Sequence, residues 1–249
     1  MDKLIMVGNE TITEAEKIGI LKEKCVFIPN GYYPDEICKK CTRSDAEKLL
    51  EMDLGGKKFI FRGGRFTKHK GVEWFIRNVM LNLPENYIFV AAGGGIASKT
   101  AGDENYYPKC KQAVEDLKME NRVKLLLNLK RSDIKTLFNV CDLYISPNIK
   151  VPRSMEGFGI TAIEAAACSR VVLVSDIEGL KDAIKDGDNG FLVESGDVEA
   201  WTKKINELLA DDEFRKKFGE KAREYTIENY SWEKIAKRYL EEMEKVAKK

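Results

Sequence analysis

From residue 57 onward two kinds of apolar pattern alternate along the chain. Short, nearly continuous apolar runs of strand length lie at 58–62, 87–92, 123–127, 142–146, 171–175 and 190–193. Between them, residues 72–83, 109–118, 133–140, 158–167, 179–186 and 198–209 carry apolar side chains at helical spacing. Strands apolar on both faces are strands covered on both sides. Each helical stretch is long enough for a right-handed crossover between parallel neighbours. The pattern therefore predicts an α/β fold: a Rossmann-like parallel sheet with helices on both faces. Ser132 and Asp197 precede two helical stretches and have side chains suited to N-caps. After Asp211 the pattern is helical to the end, with one stripe of Phe214, Phe218, Ala222 and Tyr225 and another of Trp232, Ile235, Ala236 and Tyr239.

The beginning of the chain follows another rhythm. A short strand at 4–7, a helix at 13–18 and a strand at 26–28 are broken off by Pro29, Asn30 and Gly31. Residues 29–56 read as a connector followed by a surface helix.

Composition narrows the function classes. With 249 residues, 43% of them hydrophobic, the chain can bury one large core or two small ones. Forty-two Lys and Arg nearly cancel 41 Asp and Glu, leaving a net charge of +1. That balance argues against a nucleic-acid-binding surface, while leaving room for the few clustered cations that one phosphate site needs. The first twenty residues mix acids and bases among apolar positions, unlike a signal peptide, so a cytoplasmic protein is expected. The six scattered cysteines fit reduced thiols. Cys38 and Cys41 form a C-x-x-C, but no second half of a zinc set follows. His69 is the single histidine, which excludes a His-rich metal site or a mechanism with two histidine bases.

Two stretches carry candidate chemistry. The first runs from Gly63 and Gly64 through Arg65 to Lys70 and Gly71, after a predicted strand and before a predicted helix. Glycines there let a ligand approach the backbone, and Arg65 with Lys70 supplies two positive charges for a diphosphate. The spacing is neither a P-loop nor G-x-G-x-x-G. The second stretch is Glu156, Gly157, Phe158, Gly159 and Ile160, with Glu164 eight residues after Glu156. If a helix began at Glu156, both carboxylates would lie near one face, and the amides of Phe158, Gly159 and Ile160 would be free for an anion. Gly93, Gly94 and Gly95 follow the second strand, at the carboxyl edge where such sheets bind ligands.

Together these residues resemble the retaining glycosyltransferases of the GT-B fold, family 4, also called glycosyl transferases group 1. The resemblance runs from Ile28-Pro29-Asn30-Gly31 through Gly64-Arg65-Phe66 and Lys70-Gly71 to Glu156-Gly157-Phe158-Gly159 with Glu164-Ala165, and on to Tyr230-Ser231-Trp232. It implies the C-terminal half of a GT-B fold. Residues 29–249 would be a nucleotide-sugar-binding Rossmann-like domain with C-terminal crossing helices, and residues 1–28 a remnant resembling the end of the acceptor domain. The implied reaction moves a hexose from a UDP-, GDP- or ADP-sugar to an acceptor with retention of configuration, requiring no metal and no other cofactor. Arg65 and Lys70 would neutralise the departing diphosphate. Glu156 would address hydroxyls of the donor sugar, and Glu164 would accept from the ribose. Residues 158–160 would offer amides near sugar and phosphate, with Gly63, Gly64, Gly94, Gly157 and Gly159 lining the donor. In such retaining enzymes a leaving-group oxygen takes the acceptor's proton, so no histidine base is needed.

The chain also departs from that family. Ser169 and Val171 stand where Gly and Pro are usual, Glu178 at a commonly Gly position, and Asn128 in place of a frequent Gly. Only about thirty residues precede the linker motif where the family has a whole acceptor domain. Either Met1 begins a shortened chain or another chain supplies that half. A stripe with Trp232 and Tyr239 left without its partner implies exposed apolar surface, and with it self-association or an N-terminal-domain partner chain. No nucleic acid is expected as partner, and a peripheral place at the inner membrane face is expected only if the acceptor is a lipid. The other readings are a noncatalytic nucleotide-sugar-binding or regulatory subunit, a sugar-nucleotide epimerase and, least favoured, a dehydrogenase.

Overall fold

Apolar runs become parallel strands in two sheets across residues 3–94 and 105–248, the part of the chain described by a computed structural model. Strands β1 (Leu4–Met6) and β2 (Cys25–Phe27) pair with each other, joined by helix α1 (Asn9–Lys17). A connector with α2 (Pro34–Ile37) and α3 (Arg43–Leu50) leads to the larger unit. There the order is β3 (Lys58–Gly63), α4 (Val72–Asn78), β4 (Tyr87–Gly93), α5 (Tyr107–Asp116), β5 (Val123–Leu127), α6 (Arg131–Val140), β6 (Leu143–Ser146), α7 (Ile160–Ala167), β7 (Val171–Ser175), α8 (Leu180–Ala183), β8 (Phe191–Val193) and α9 (Val198–Ala210). Helices α10 (Asp212–Tyr230) and α11 (Trp232–Ala247) complete the fold. The six strands lie in the order β5-β4-β3-β6-β7-β8, all parallel. Phe59, Ile60 and Phe61 on β3 and every residue of β6 and β7 are buried, as expected of strands covered on both faces. Among the described residues no helix is long and apolar enough to cross a membrane.

Local chemistry sets the element ends. The run expected from residue 142 begins one residue later as β6, because the Asp142 carboxylate takes the Phe59 amide at 2.6 Å and Arg43 Nη1 at 3.3 Å. The stretch 72–83 divides into α4 and a 3₁₀ turn at Met80–Asn82, stopped before Pro84. Asp197 caps α9 as expected, its Oδ1 accepting the Ala200 amide at 2.9 Å. Ser132 does not cap α6, which starts earlier behind Lys130; its hydroxyl bonds instead to Asp133 Oδ1 at 3.2 Å. Helix α8 is a single turn because Asn189 draws the chain away from it, accepting from Lys185 N at 2.7 Å and donating to Ala183 O at 3.1 Å.

The end of the chain folds back on the Pro-Asn-Gly break. Tyr32 N donates to Tyr230 O and Trp232 N to Tyr32 O, each at 3.0 Å. A Cβ on Gly31 would lie 2.7 Å from the Trp232 ring, so the glycine is what lets the indole lie flat on the backbone. The expectation of an unpartnered stripe with Trp232 and Tyr239 is thereby corrected. Ile235 is fully buried, and Trp232 and Tyr239 are half-buried. The exposed large apolar groups of α11 are instead Leu240 at 59% and Met243 at 61%, farther along the helix.

Asn128, Ser169 and Glu178, the three residues found where the resembled family favours glycine, have φ of 55°, 57° and 49°. Left-handed backbone costs a residue with a Cβ about 1–2 kcal/mol. Ser169→Gly is expected to stabilise the protein by about 0.5–1 kcal/mol. In a thermal melt this reads as a rise of about 2–4 °C; an unchanged or lower midpoint would show that the serine is not strained.

Candidate functional site

Strands β3 and β6 are spatial neighbours although β4 and β5 lie between them in the chain. Strand order reverses there, and in open α/β sheets the crevice at the carboxyl ends of two such strands is where ligands bind. Both candidate stretches start at it. The glycine-basic loop, 63–71, follows β3, and the loop 147–159 follows β6.

Backbone packing sets the loops' geometry. Gly71 has φ 68°, and a Cβ there would stand 1.7 Å from the Pro147 carbonyl oxygen, so only glycine permits the two loops to touch. Ile149 N donates to His69 O at 2.9 Å, and Ser154 Oγ meets His69 Nδ1 at 2.7 Å. The single histidine is thus a buried tether between the loops. A Cβ on Gly93 would come 2.0 Å from Gly64 O, whereas one on Gly94 would meet nothing within 4 Å. Of the triple glycine it is Gly93 whose close packing shapes the loop; Gly95 lies outside the described residues.

Lys70 Nζ donates to Glu156 Oε2 across the crevice, in an ion pair whose side chains are each 14% exposed. Asn148 Nδ2 adds a bond to the same oxygen at 3.1 Å. Burial pushes the Glu156 carboxyl up, but the Lys70 ammonium and the Lys70 and Asn148 hydrogen bonds outweigh it and hold the group below its ordinary 4.5. Burial, helped by the charges of Arg62 and Arg65, draws Lys70 down while Glu156 opposes. The condition under which both carboxylates share a helix face, a helix beginning at Glu156, is not met. The helix that follows, α7, begins at Ile160, behind Gly159 with φ 100°, so Glu156 is a loop residue. It is held there by its own backbone, with its N donating to Glu178 Oε2 at 2.6 Å and its O accepting from Gly179 N at 3.0 Å.

Three contributors escaped the sequence reading. Arg62, 1% exposed, lies beneath the glycine loop and donates through Nη1 to Gly64 O and, at 3.1 Å, to Arg65 O. Its Nε is buried without a partner, and no carboxylate pairs with it among the described residues. Such a buried cation needs a counter-charge. A charged residue closing the apolar run Phe59-Ile60-Phe61 was the available signal. Asn148 keeps an unpartnered buried Oδ1 beside Glu156. Glu178, its carboxyl pushed up by burial and by the neighbouring Glu156, holds the Glu156 amide. The signal for these last two lay only in loop sequence.

The amides of Phe158, Gly159 and Ile160 form no hydrogen bond among the described residues, leaving the N-terminus of α7 an open set of donors. The Phe158 side chain anchors them, buried against Tyr230 with ring centroids 5.7 Å apart. One turn on, Glu164 is mostly buried and faces Arg131 Nη2 at 3.8 Å. Burial pushes its carboxyl above the ordinary value, opposed by Arg131 and Lys135. Tyr144 joins the halves, its hydroxyl oxygen lying 3.2 Å from Gly63 O and 2.8 Å from Thr161 Oγ1. The structure therefore brings Lys70 and Glu156 into contact, sets Arg62 and Arg65 beside them, and keeps Glu164 apart on its helix. Cations and amides at one end with a separate carboxylate at the other can hold an elongated ligand carrying phosphate and hydroxyl groups.

The same segments match known proteins. A model described as "Glycosyl transferases group 1" matches residues 51–225. The N,N'-diacetylbacillosaminyl-diphospho-undecaprenol alpha-1,3-N-acetylgalactosaminyltransferase of Campylobacter jejuni is 27% identical over 99% of this chain and 61% of its own length. The uncharacterized glycosyltransferase MJ1607 of Methanocaldococcus jannaschii is 30% identical over 87% of this chain and 53% of its own. Among solved structures, a glycosyltransferase from Rickettsia africae superposes with TM-score 0.81 at 26% identity, covering 99% of this chain and 64% of that one. Anabaena HepE in complex with UDP-glucose superposes with TM-score 0.82 at 21% identity, covering 98% and 64%. The chain thus spans between 53% and 64% of the length of these proteins. With the family match running through both loops of the crevice, from Arg65 to Glu164, the chain belongs to the glycosyl transferases group 1 family.

Proposed function

We propose that residues 29–249 are the donor-binding half of a glycosyltransferase that moves a hexose from a nucleotide-diphosphate sugar to an acceptor with retention at the anomeric carbon. Residues 1–28 are, on this reading, the end of an acceptor-binding half. The observation that carries it is the mostly buried Lys70–Glu156 pair at the switch point, with the buried Arg62 guanidinium, which no carboxylate contacts among the described residues, and the open amides of α7. The complex of HepE with UDP-glucose supports a donor of that class.

In this reading the diphosphate lies against Lys70, Arg65 and the amides of residues 158–160, over the fixed charge of Arg62. As the glycosidic bond breaks, negative charge grows on the leaving phosphate, and donors already in place stabilise that state more than the bound donor. Preorganised donors of this kind are worth about 3–4 kcal/mol each when removed singly. Glu156 meets the sugar hydroxyls. A carboxylate held below its ordinary pKa by an ion pair is a poor proton donor. That suits a route in which the leaving oxygen takes the acceptor's proton. Glu164 takes the ribose hydroxyls, and no metal or other cofactor is assigned a part.

Calorimetry with UDP, GDP and ADP, and with their sugars, tests the donor assignment. Selective binding of one base is expected, weakened about tenfold to a hundredfold by Glu164→Ala, through loss of hydrogen bonds to a charged group. Binding of none, or binding indifferent to the substitution, would remove the ribose role. Lys70→Ala is expected to weaken a nucleoside diphosphate about tenfold or more while leaving the parent nucleoside unchanged; equal loss for both would mean that Lys70 does not meet phosphate. Because burial raises the Glu164 carboxyl above 4.5, its charged form is lost sooner on acidification than an ordinary glutamate's. Affinity for the nucleoside diphosphate should therefore fall as pH drops toward that raised value. A Glu164→Gln protein that keeps the same pH profile would refute the assignment.

A further inference from the structure

Three distant parts of the chain meet on the side of α7 away from its N-terminus. Cys38, which directly follows α2, stands with its Sγ 3.8 Å from Sγ of Cys168, the residue ending α7. Arg223 from α10 donates through Nη1 to Cys38 Sγ at 2.8 Å and also to Ala167 O. The buried hydroxyl of Tyr32 lies in the same charge environment and has no hydrogen-bond partner. A surface cleft of about 680 Å³, lined by Tyr33, Asp35, Trp232 and Arg223 among others, opens beside the group. Cys38 is half-buried and Cys168 buried, so of the two residues Cys38 is the more accessible to solvent.

We propose that Cys38 and Cys168 are a modification site, in which a small-molecule disulfide oxidises the pair to an intramolecular Cys38–Cys168 disulfide with Cys38 as the attacking group. The Cys38 thiolate attacks one sulfur of R–S–S–R, forming a Cys38–S–S–R bond and releasing RS⁻. Cys168 then gives up its proton and attacks the Cys38 sulfur, releasing the second RS⁻. Both thiolates leave as thiols at neutral pH, so two protein thiols and one disulfide become one protein disulfide and two small thiols. Closing the bond needs the sulfurs to move from 3.8 Å to about 2.05 Å.

The surroundings suit each thiol to its step. A hydrogen bond from Cys168 and the Arg223 guanidinium hold the Cys38 thiol down at about 6, against burial and the nearby Asp35. Cys168 is held protonated by its hydrogen bond to Cys38, by burial and by the Cys38 charge. Formation of the mixed disulfide removes that charge, and with it a cause of Cys168's reluctance to ionise. The other thiols lack this setting. Burial pushes Cys110 and Cys141 up to about 12, and Cys41, the sequence partner in the C-x-x-C, faces Thr136 Oγ1 at 3.7 Å.

Peptide mapping by mass spectrometry of the whole chain, treated with glutathione disulfide at pH 7, reads the outcome directly. A linked peptide pair containing Cys38 and Cys168 is expected, formed before any other cysteine reacts. Cys168→Ser should accumulate glutathione on Cys38, and Cys38→Ser should leave Cys168 unmodified. Arg223→Gln should slow the first step about tenfold at pH 7, with the difference shrinking above the ordinary thiol pKa. A disulfide to Cys41, a mixed disulfide that persists on Cys38 in the wild type, or an unchanged rate in Arg223→Gln would each overturn the proposal. The first two outcomes are read on the unaltered protein and do not depend on any variant folding.

Discussion

Lys70 reaches from the loop after β3 and Glu156 from the loop after β6, and their contact spans the crevice where the sheet order reverses. Both side chains are mostly buried, so neither charge leaves the other cheaply without a replacement. Stranding one of them costs about 3–5 kcal/mol. The rest of the site is arranged around that condition. Asn148 supports the carboxylate, Glu178 and Gly179 hold its backbone, and Gly71 lets the two loops come close enough for the pair to form. A ligand that separates Lys70 from Glu156 has to give each a partner of its own, an anion for one and hydrogen-bond donors for the other. That double requirement favours a molecule that carries both an anionic group and hydrogen-bond donors over one that carries either alone.

Much of this was legible in the amino-acid sequence because it rests on local pattern. Apolar runs between helical stretches mark all six strands of the large sheet, and carboxylates and cations near strand ends mark both loops. What could not be read depends on contacts made across the chain. Ser132 has the chemistry of a cap, but the backbone had already turned at Lys130. A helix beginning at Glu156 is held off by bonds from that residue to Glu178 and Gly179, more than twenty positions later. Arg62 looks like the polar end of a strand until Gly64 and Arg65 are seen folded over it.

The left-handed residues show how a family pattern can be kept in backbone shape while lost in sequence. Asn128, Ser169 and Glu178 hold the conformation that glycine adopts most easily. Only Glu178 has an evident return for the strain, because its carboxylate fixes the Glu156 amide, which a glycine could not do.

Gly157 brings the N-terminal segment into this geometry. A Cβ on Gly8 would fall 2.4 Å from the Gly157 carbonyl oxygen, and one on Gly179 would fall 2.3 Å from it. Asn9 secures the arrangement with two bonds to Asp182, through its N at 2.7 Å and its Nδ2 at 2.5 Å. Three stretches of chain thus meet backbone to backbone, with the Asp182 carboxylate beside Gly8 and the Val7 side chain beside Gly157. For recombination between relatives the seam therefore lies elsewhere than the Pro29-Asn30-Gly31 break alone would imply. A chimera that brings in a new N-terminal segment keeps the loop of Glu156 undisturbed only if it also brings a glycine at position 8, so the absence of one methyl group ties the start of the chain to a loop about 150 residues away.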